Sequence, residues 1–234
     1  MTSSRTALAG LAISICTICT IFAFGCQKPK EPAAVQTTNP GVTEGTIVAV
    51  GDSLTAGLGV AESDAYPAQL ERKLRQAGYR WRVVNAGISG ETSSGTLSRI
   101  DWIMRLNPEI VILEIGANDG MRGIDPRLIQ SNIEKIVASL QAKNVLVVLA
   151  GMQMLTSMGP AYTARFAAIY PEIGRERALL RVPFFLDKVA GEPSLNLADG
   201  IHPNAAGYRI VADTVYPYLL QAVERKKKGT RQKQ

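Results

Sequence analysis

From residue 46 onward the chain changes hydrophobic period repeatedly. Apolar stretches short enough to be strands fall at 46–50, 82–85, 109–115, 145–150 and 182–186. Helical spacing of apolar residues fills the intervals at about 66–77, 94–106, 127–142 and 161–180, and a last helical pattern covers 203–223. Unbroken apolar runs, unlike alternating ones, belong to strands buried on both faces. Strands that take turns with helices join by right-handed crossovers into a parallel sheet covered on both sides. The pattern predicts an α/β fold, a three-layer α/β/α sandwich around a five-stranded parallel sheet. In the last helical pattern Ile210, Val211, Val215 and Leu219 recur at helical spacing, and Pro217 is expected to kink or end a turn. No internal repeat and no second domain is visible.

The first run, Ile47 to Val50, leads straight into Gly51-Asp52-Ser53-Leu54. In open α/β sheets, ligands and reactive groups gather beyond the carboxyl ends of strands. Ser53 is therefore placed where a nucleophile would be useful, although alone it could simply cap a short helix. A serine hydroxyl needs a base, most often His. The chain has one His, His202, within Asp199-Gly200-Ile201-His202-Pro203-Asn204. Asp199, three residues earlier, is the kind of acid that fixes the tautomer of a catalytic imidazole and stabilises its cation. Gly200 lets the chain turn so that the two side chains converge, and Pro203 suits the first position of the last helix.

The formal net charge of +6 suggests a nucleic-acid partner until it is located. Residues 224–234 hold six basic residues against one acid, which leaves the rest close to neutral. No basic stripe with interleaved aromatics appears, so no nucleic-acid partner is expected. The tail reads as a solvated, frayed terminus, with weak attraction to anionic headgroups as the sharper alternative. One His and three Cys, two of them (Cys16 and Cys19) in an apolar leader, give no metal site. Gly57-Leu58-Gly59 starts like a dinucleotide fingerprint but reaches Glu62 where the third Gly should stand, and no cofactor is implied.

Residues 1–25 carry one Arg and then an apolar run, placed like a secretory signal. The run ends Ala23-Phe24-Gly25-Cys26, which resembles the lipobox of bacterial lipoproteins, in which Cys26 would become the lipidated first residue. Phe24 and the single basic residue depart from the usual pattern, and an uncleaved anchor is the runner-up. The remainder of 26–45 is rich in Pro, Thr, Lys and Glu and reads as a flexible tether. The expected division is thus a signal at 1–25, a tether at 26–45, an α/β domain at 46–223 and a basic tail at 224–234, with the domain exported and held at a membrane through Cys26. Oligomeric state leaves no mark on the sequence.

Acyl transfer also needs donors aimed at the developing oxyanion. Two strand-following loops offer them: Asn85-Ala86-Gly87-Ile88-Ser89-Gly90-Glu91-Thr92 and Gly116-Ala117-Asn118-Asp119-Gly120. Each could equally be an ordinary turn. The order Ser53, Gly90, Asn118, His202 resembles the four blocks of the SGNH hydrolase superfamily in its GDSL branch, over nearly all of 46–223. The resemblance implies a flavodoxin-like SGNH fold, Ser53 as nucleophile, Asp199 and His202 as acid and base, and an oxyanion hole built from the N–H groups of Ser53 and Gly90 and the Asn118 amide. Within that branch, 116–123 and 166–172 are similar to the bacterial acyl thioesterase, lysophospholipase and arylesterase subgroup, with Ala117 where a second Gly is frequent. The implied partner is a small-molecule or lipid acyl ester. Met152, Met154, Leu155 and Met158 suit an acyl groove and equally suit a core. A carbohydrate deacetylase on the same scaffold and a non-catalytic envelope-binding lipoprotein are the competing readings.

Overall fold

In the computed structural model, which describes residues 43–231, the first apolar run becomes β1 (Gly45–Gly51), with Ile47 to Val50 almost wholly inaccessible. The remaining strands are β2 (Trp81–Gly87), β3 (Ile110–Leu113), β4 (Leu146–Ala150) and β5 (Leu180–Val182). All pair in parallel, in the order β2-β1-β3-β4-β5. Central β3 is buried at every position. Each of its aliphatic side chains contributes about 1.5–3 kcal/mol of transfer free energy by leaving water.

The helices are α1 (Ser53–Ala56), α2 (Tyr66–Gln76), α3 (Ser93–Ser98), α4 (Ile100–Arg105), α5 (Ala117–Met121), α6 (Pro126–Ala142), α7 (Pro160–Glu176) and α8 (Ala205–Arg231). Helix α8 packs on β3, β4 and β5 and on α2, while α6 packs on β4, α3 and α7. The result is the expected three-layer α/β/α sandwich with flavodoxin-like strand order. In that order the chain reverses direction of travel between β1 and β3, and a crevice opens where their following loops part. Ser53 follows β1 and Asn118 follows β3, so both stand at this switch point.

Several boundaries differ from the sequence pattern for identifiable reasons. The 94–106 pattern breaks at Arg99, whose guanidinium turns inward to Glu91 and to the Ala86 carbonyl. Strand β5 stops before Pro183, which has no N–H for a ladder. Pro203 lies in a β-bridge with Asn196 rather than in the last helix. Asn204 instead caps α8, its side-chain oxygen accepting from the N–H groups of Ala206 and Gly207. Helix α8 runs on through Pro217, which sits on its exposed face where water can take up the carbonyl it leaves unbonded.

The basic tail is also not frayed at its start: α8 continues to Arg231. Lys227 lies over the Tyr79 ring at 4.8 Å and 3.5 Å from the Glu44 carboxylate, Lys226 donates to the Asn144 carbonyl at 2.6 Å, and Tyr79 donates to Glu224. The charges that read as a solvated run thus hold the last turns against the domain. The signal, Cys26 and the tether up to residue 42 lie outside the described residues. Among the described residues no helix is long and apolar enough to cross a membrane.

Candidate active site

Ser53 is the first residue of α1, and the turn into it is set by Asp52. The Asp52 carboxylate accepts from the Leu54 N–H at 2.9 Å, capping α1. This leaves Ser53 8% exposed, with its hydroxyl at the surface of the switch point. His202 arrives from the far end of the chain on a tight loop. The Leu197 N–H donates to the His202 carbonyl at 2.8 Å, and Gly200 takes φ +68°, a left-handed conformation that favours glycine. Asp199 closes the loop by accepting from the N–H groups of Ile201 and His202 at 2.8 and 3.0 Å.

Ser53 Oγ and His202 Nε2 stand 2.8 Å apart across 149 residues of sequence. On the other side of the ring, His202 Nδ1 is 2.7 Å from Asp199 Oδ2. A carboxylate at Nδ1 fixes the proton there, which leaves Nε2 free to accept from the serine. Hydrogen bonds from the His202 and Ile201 backbone, and then from the His202 ring, pull the Asp199 carboxyl down to about 2. It therefore stays ionised throughout the working range of an imidazole base.

The oxyanion candidates converge as well. Gly90 lies on an exposed loop at φ +79°, and the Arg122 guanidinium donates to its carbonyl at 3.0 Å. Neither the Ser53 nor the Gly90 N–H donates to a protein acceptor among the described residues. Asn118 donates one amide hydrogen to Asp52 Oδ2 at 2.9 Å, so its second is left for a substrate. Gly116, at φ +114°, needs to be glycine, whereas Ala117 is an ordinary helical residue beginning α5. The Gly-to-Ala departure at 117 thus costs the site nothing.

Sequence reasoning overlooked the residues that brace these donors. Asp119 accepts from the Ser93 N–H at 2.8 Å and the Ser93 hydroxyl at 2.6 Å, which ties the Gly90 loop to α5. Asn132 of α6 adds hydrogen bonds to the Ser93 and Ser94 hydroxyls at 3.0 and 2.9 Å. Glu114, fully buried behind Asp52, was legible only as an acid inside an apolar run.

Of the four acyl-groove candidates, Met152 is core: it is 3% exposed and packs within the main apolar cluster. The reason is that it lies two residues beyond β4, still within the core that encloses the strand's end. Met154 is half-buried over Gly120, where a Cβ would come within 2.3 Å of its sulfur. Leu155 is exposed, and Met158 is half-buried at the end of a short 3-10 turn. No cluster of His, Cys, Asp and Glu fit to hold a metal occurs among the described residues.

Residues 49–210 match the GDSL-like Lipase/Acylhydrolase family. Esterase TesA of Pseudomonas aeruginosa is 38% identical over 175 residues, covering 74% of this chain and 87% of that protein. Thioesterase 1/protease 1/lysophospholipase L1 of Escherichia coli K12 is 35% identical over 169 residues, covering 72% of this chain and 80% of that one. A crystal structure of TesA superposes with a TM-score of 0.73 at 37% identity, over 76% of this chain and 99% of that chain. With the strand order, the Gly-Asp-Ser-Leu turn and the match agreeing, the chain belongs to the GDSL-like lipase/acylhydrolase family.

Proposed function

We propose that the protein is a serine hydrolase of acyl esters and thioesters, working through Ser53, His202 and Asp199. The 2.8 Å approach of Ser53 Oγ to His202 Nε2 carries the reading. The Ser53 oxygen attacks the substrate carbonyl carbon while its proton passes to His202 Nε2, and Asp199 stabilises the resulting imidazolium. The N–H groups of Ser53 and Gly90 and the free hydrogen of the Asn118 amide receive the oxyanion. As the tetrahedral adduct collapses, His202 returns the proton to the departing alcohol or thiol. Water, deprotonated by the same imidazole, then releases the acid from Ser53.

Exposed apolar side chains on the segments that follow the strands, at the end of the sheet that carries Ser53 and Asn118, favour an acyl chain over a sugar. Leu58, Ile88, Met121, Leu155 and Ile201 are each 40–59% exposed, and each lies on a segment beyond a strand's carboxyl end or beside His202. Met154 and Met158, half-buried on either side of Leu155 in the segment after β4, add adaptable apolar surface, so that lysophospholipids, fatty-acyl thioesters or aryl esters are the substrate class. The test is p-nitrophenyl esters from acetate to palmitate, together with fluorophosphonate labelling. Wild type should prefer a medium or long chain, and Ser53→Ala should lose label and at least about four orders of magnitude in kcat. Hydrolysis of acetate alone would overturn the acyl-chain reading, and a folded wild type that takes no label would overturn the triad.

We further propose that the enzyme is exported and held at the cell envelope by lipidated Cys26, on the strength of the leader and its terminal Ala-Phe-Gly-Cys. In cells fed an alkyne fatty acid, the full chain should incorporate label and sediment with membranes, and Cys26→Ser should do neither. Equal labelling and sedimentation of both would remove this anchor.

A further inference from the structure

Glu114 directly follows β3 and is fully buried, yet no step of the hydrolysis uses it. Its Oε2 accepts from the Thr55 hydroxyl at 2.9 Å and from the Asp52 N–H at 3.4 Å. Its Oε1 is enclosed and has no hydrogen-bond partner among the described residues. Room for this carboxyl exists because residue 51 is glycine. A Cβ there would stand 2.5 Å from Glu114 Oε2 and 2.2 Å from Thr55 Oγ1. Glu114 thus grips the chain on both sides of the nucleophile, since Asp52 precedes Ser53 and Thr55 follows it by two residues.

We propose that Glu114 is a positioning residue for catalysis: by holding Asp52 and Thr55 it sets the turn that presents Ser53 and, through Asp52, the aim of the Asn118 amide. The inference rests on the triad reading above. The Asp52 carboxylate is the common element, because it caps α1 and also fixes the Asn118 amide. A displacement at Asp52 would move the nucleophile and an oxyanion donor together.

The chemistry of the pair says which form of Glu114 does this. Burial first, and the neighbouring Asp52 carboxylate second, push Glu114 well above the ordinary carboxyl range. An ionised carboxylate with an enclosed, unpartnered oxygen has no solvation to replace water. Burial raises Asp52 as well, but the Leu54 N–H and the Asn118 amide donate to its carboxylate and oppose that shift, so the negative charge of the pair rests on Asp52. The other titratable groups facing Glu114 are Tyr66 of α2, Tyr170 of α7 and Tyr208 of α8, all pushed up by burial and neutral. Across the site, the imidazolium that His202 becomes during turnover favours an ionised Asp52. Glu114 therefore acts as a neutral hydrogen-bonding spacer, and its amide isostere should serve in its place.

The test compares steady-state kinetics of the full chain on one p-nitrophenyl ester for wild type, Glu114→Gln, Glu114→Leu and Thr55→Val. Glu114→Leu should lower kcat about tenfold or more with KM within about twofold, because aim is lost and substrate contact is not. Glu114→Gln should retain kcat within about threefold of wild type, a rescue that a merely space-filling role would not separate from leucine. Thr55→Val, which removes the hydroxyl shared by Glu114 and Tyr66 while keeping shape, should lower kcat about threefold at constant KM. A folded Glu114→Leu with wild-type kcat overturns the proposal, as does a Glu114→Gln as slow as the leucine variant. Should Glu114→Leu not fold, a Thr55→Val enzyme with wild-type kcat overturns it instead. Fluorophosphonate labelling of wild type in the same assay reports separately on the triad, so failure of that reading is distinguishable.

Discussion

The two aspartates that flank the Ser53–His202 pair are kept charged by opposite means. Asp199 lies at the surface, its side chain 44% exposed, and three hydrogen bonds from a single tight loop hold it near 2. Asp52 is buried, and burial works against its charge. It remains the charged member of its pair because Glu114 takes up the proton and because Leu54 and Asn118 donate to it. The exposed acid is autonomous and serves the base. The buried acid depends on its neighbours and serves the nucleophile's turn and the oxyanion donors. Charge at a site is thus obtained cheaply by local backbone geometry at the surface, and only by cooperation among several elements inside.

Replacing each aspartate by asparagine sharpens the contrast. Asp199→Asn should cost the most, roughly three to four orders of magnitude in kcat, because an amide facing Nδ1 no longer fixes the tautomer or stabilises the imidazolium. Asp52→Asn should cost less, about tenfold to a hundredfold, because it loosens an oxyanion donor without removing the base. Rates for the two purified variants on one ester decide the matter. Equal losses would mean that Asp52 takes part in proton transfer, and a silent Asp52→Asn would mean that Asn118 keeps its aim unaided.

The same contrast explains what could be read from the sequence. The Asp199 loop is local: acid, glycine and histidine lie within four positions, so spacing alone suggested their meeting. The parallel sheet was equally legible, because five apolar runs separated by helical spacing admit few topologies. Meeting of Ser53 with His202 across 149 residues was not given by spacing, and chemistry supplied it, since one base was available. The brace around Asp52 was not legible, because it joins α1, the end of β3 and α2 through side chains that are unremarkable in their own segments. Glu114 in an apolar run was its one trace. The tail misled for a related reason: six basic residues in eleven look solvated until Tyr79, Glu44 and the Asn144 carbonyl are seen to meet them.

The smallest expected effect is in stability, and there the two carboxyl environments predict opposite slopes with pH. Asp199 is lowered from an ordinary 3.8 to about 2, so the unfolded chain binds its proton first as pH falls. Its contribution is complete above 3.8 and is lost as pH descends toward about 2. The Tm difference between wild type and Asp199→Asn should therefore shrink across that acid window. Glu114 is raised above its ordinary 4.5, so the folded chain keeps a proton that the unfolded chain releases. Its contribution is complete below 4.5 and declines as pH rises. Glutamine cannot titrate, so Glu114→Gln should gain in Tm on wild type as pH rises from 4.5 into the neutral range. Each comparison is a difference between wild type and a variant sharing every other titrating group, so background titrations largely cancel in thermal melts at matched ionic strength. Parallel melting curves for Glu114→Gln and wild type over that range would show that Glu114 is ionised in the fold, and the division of labour between the buried acid and its charged neighbour would then fail.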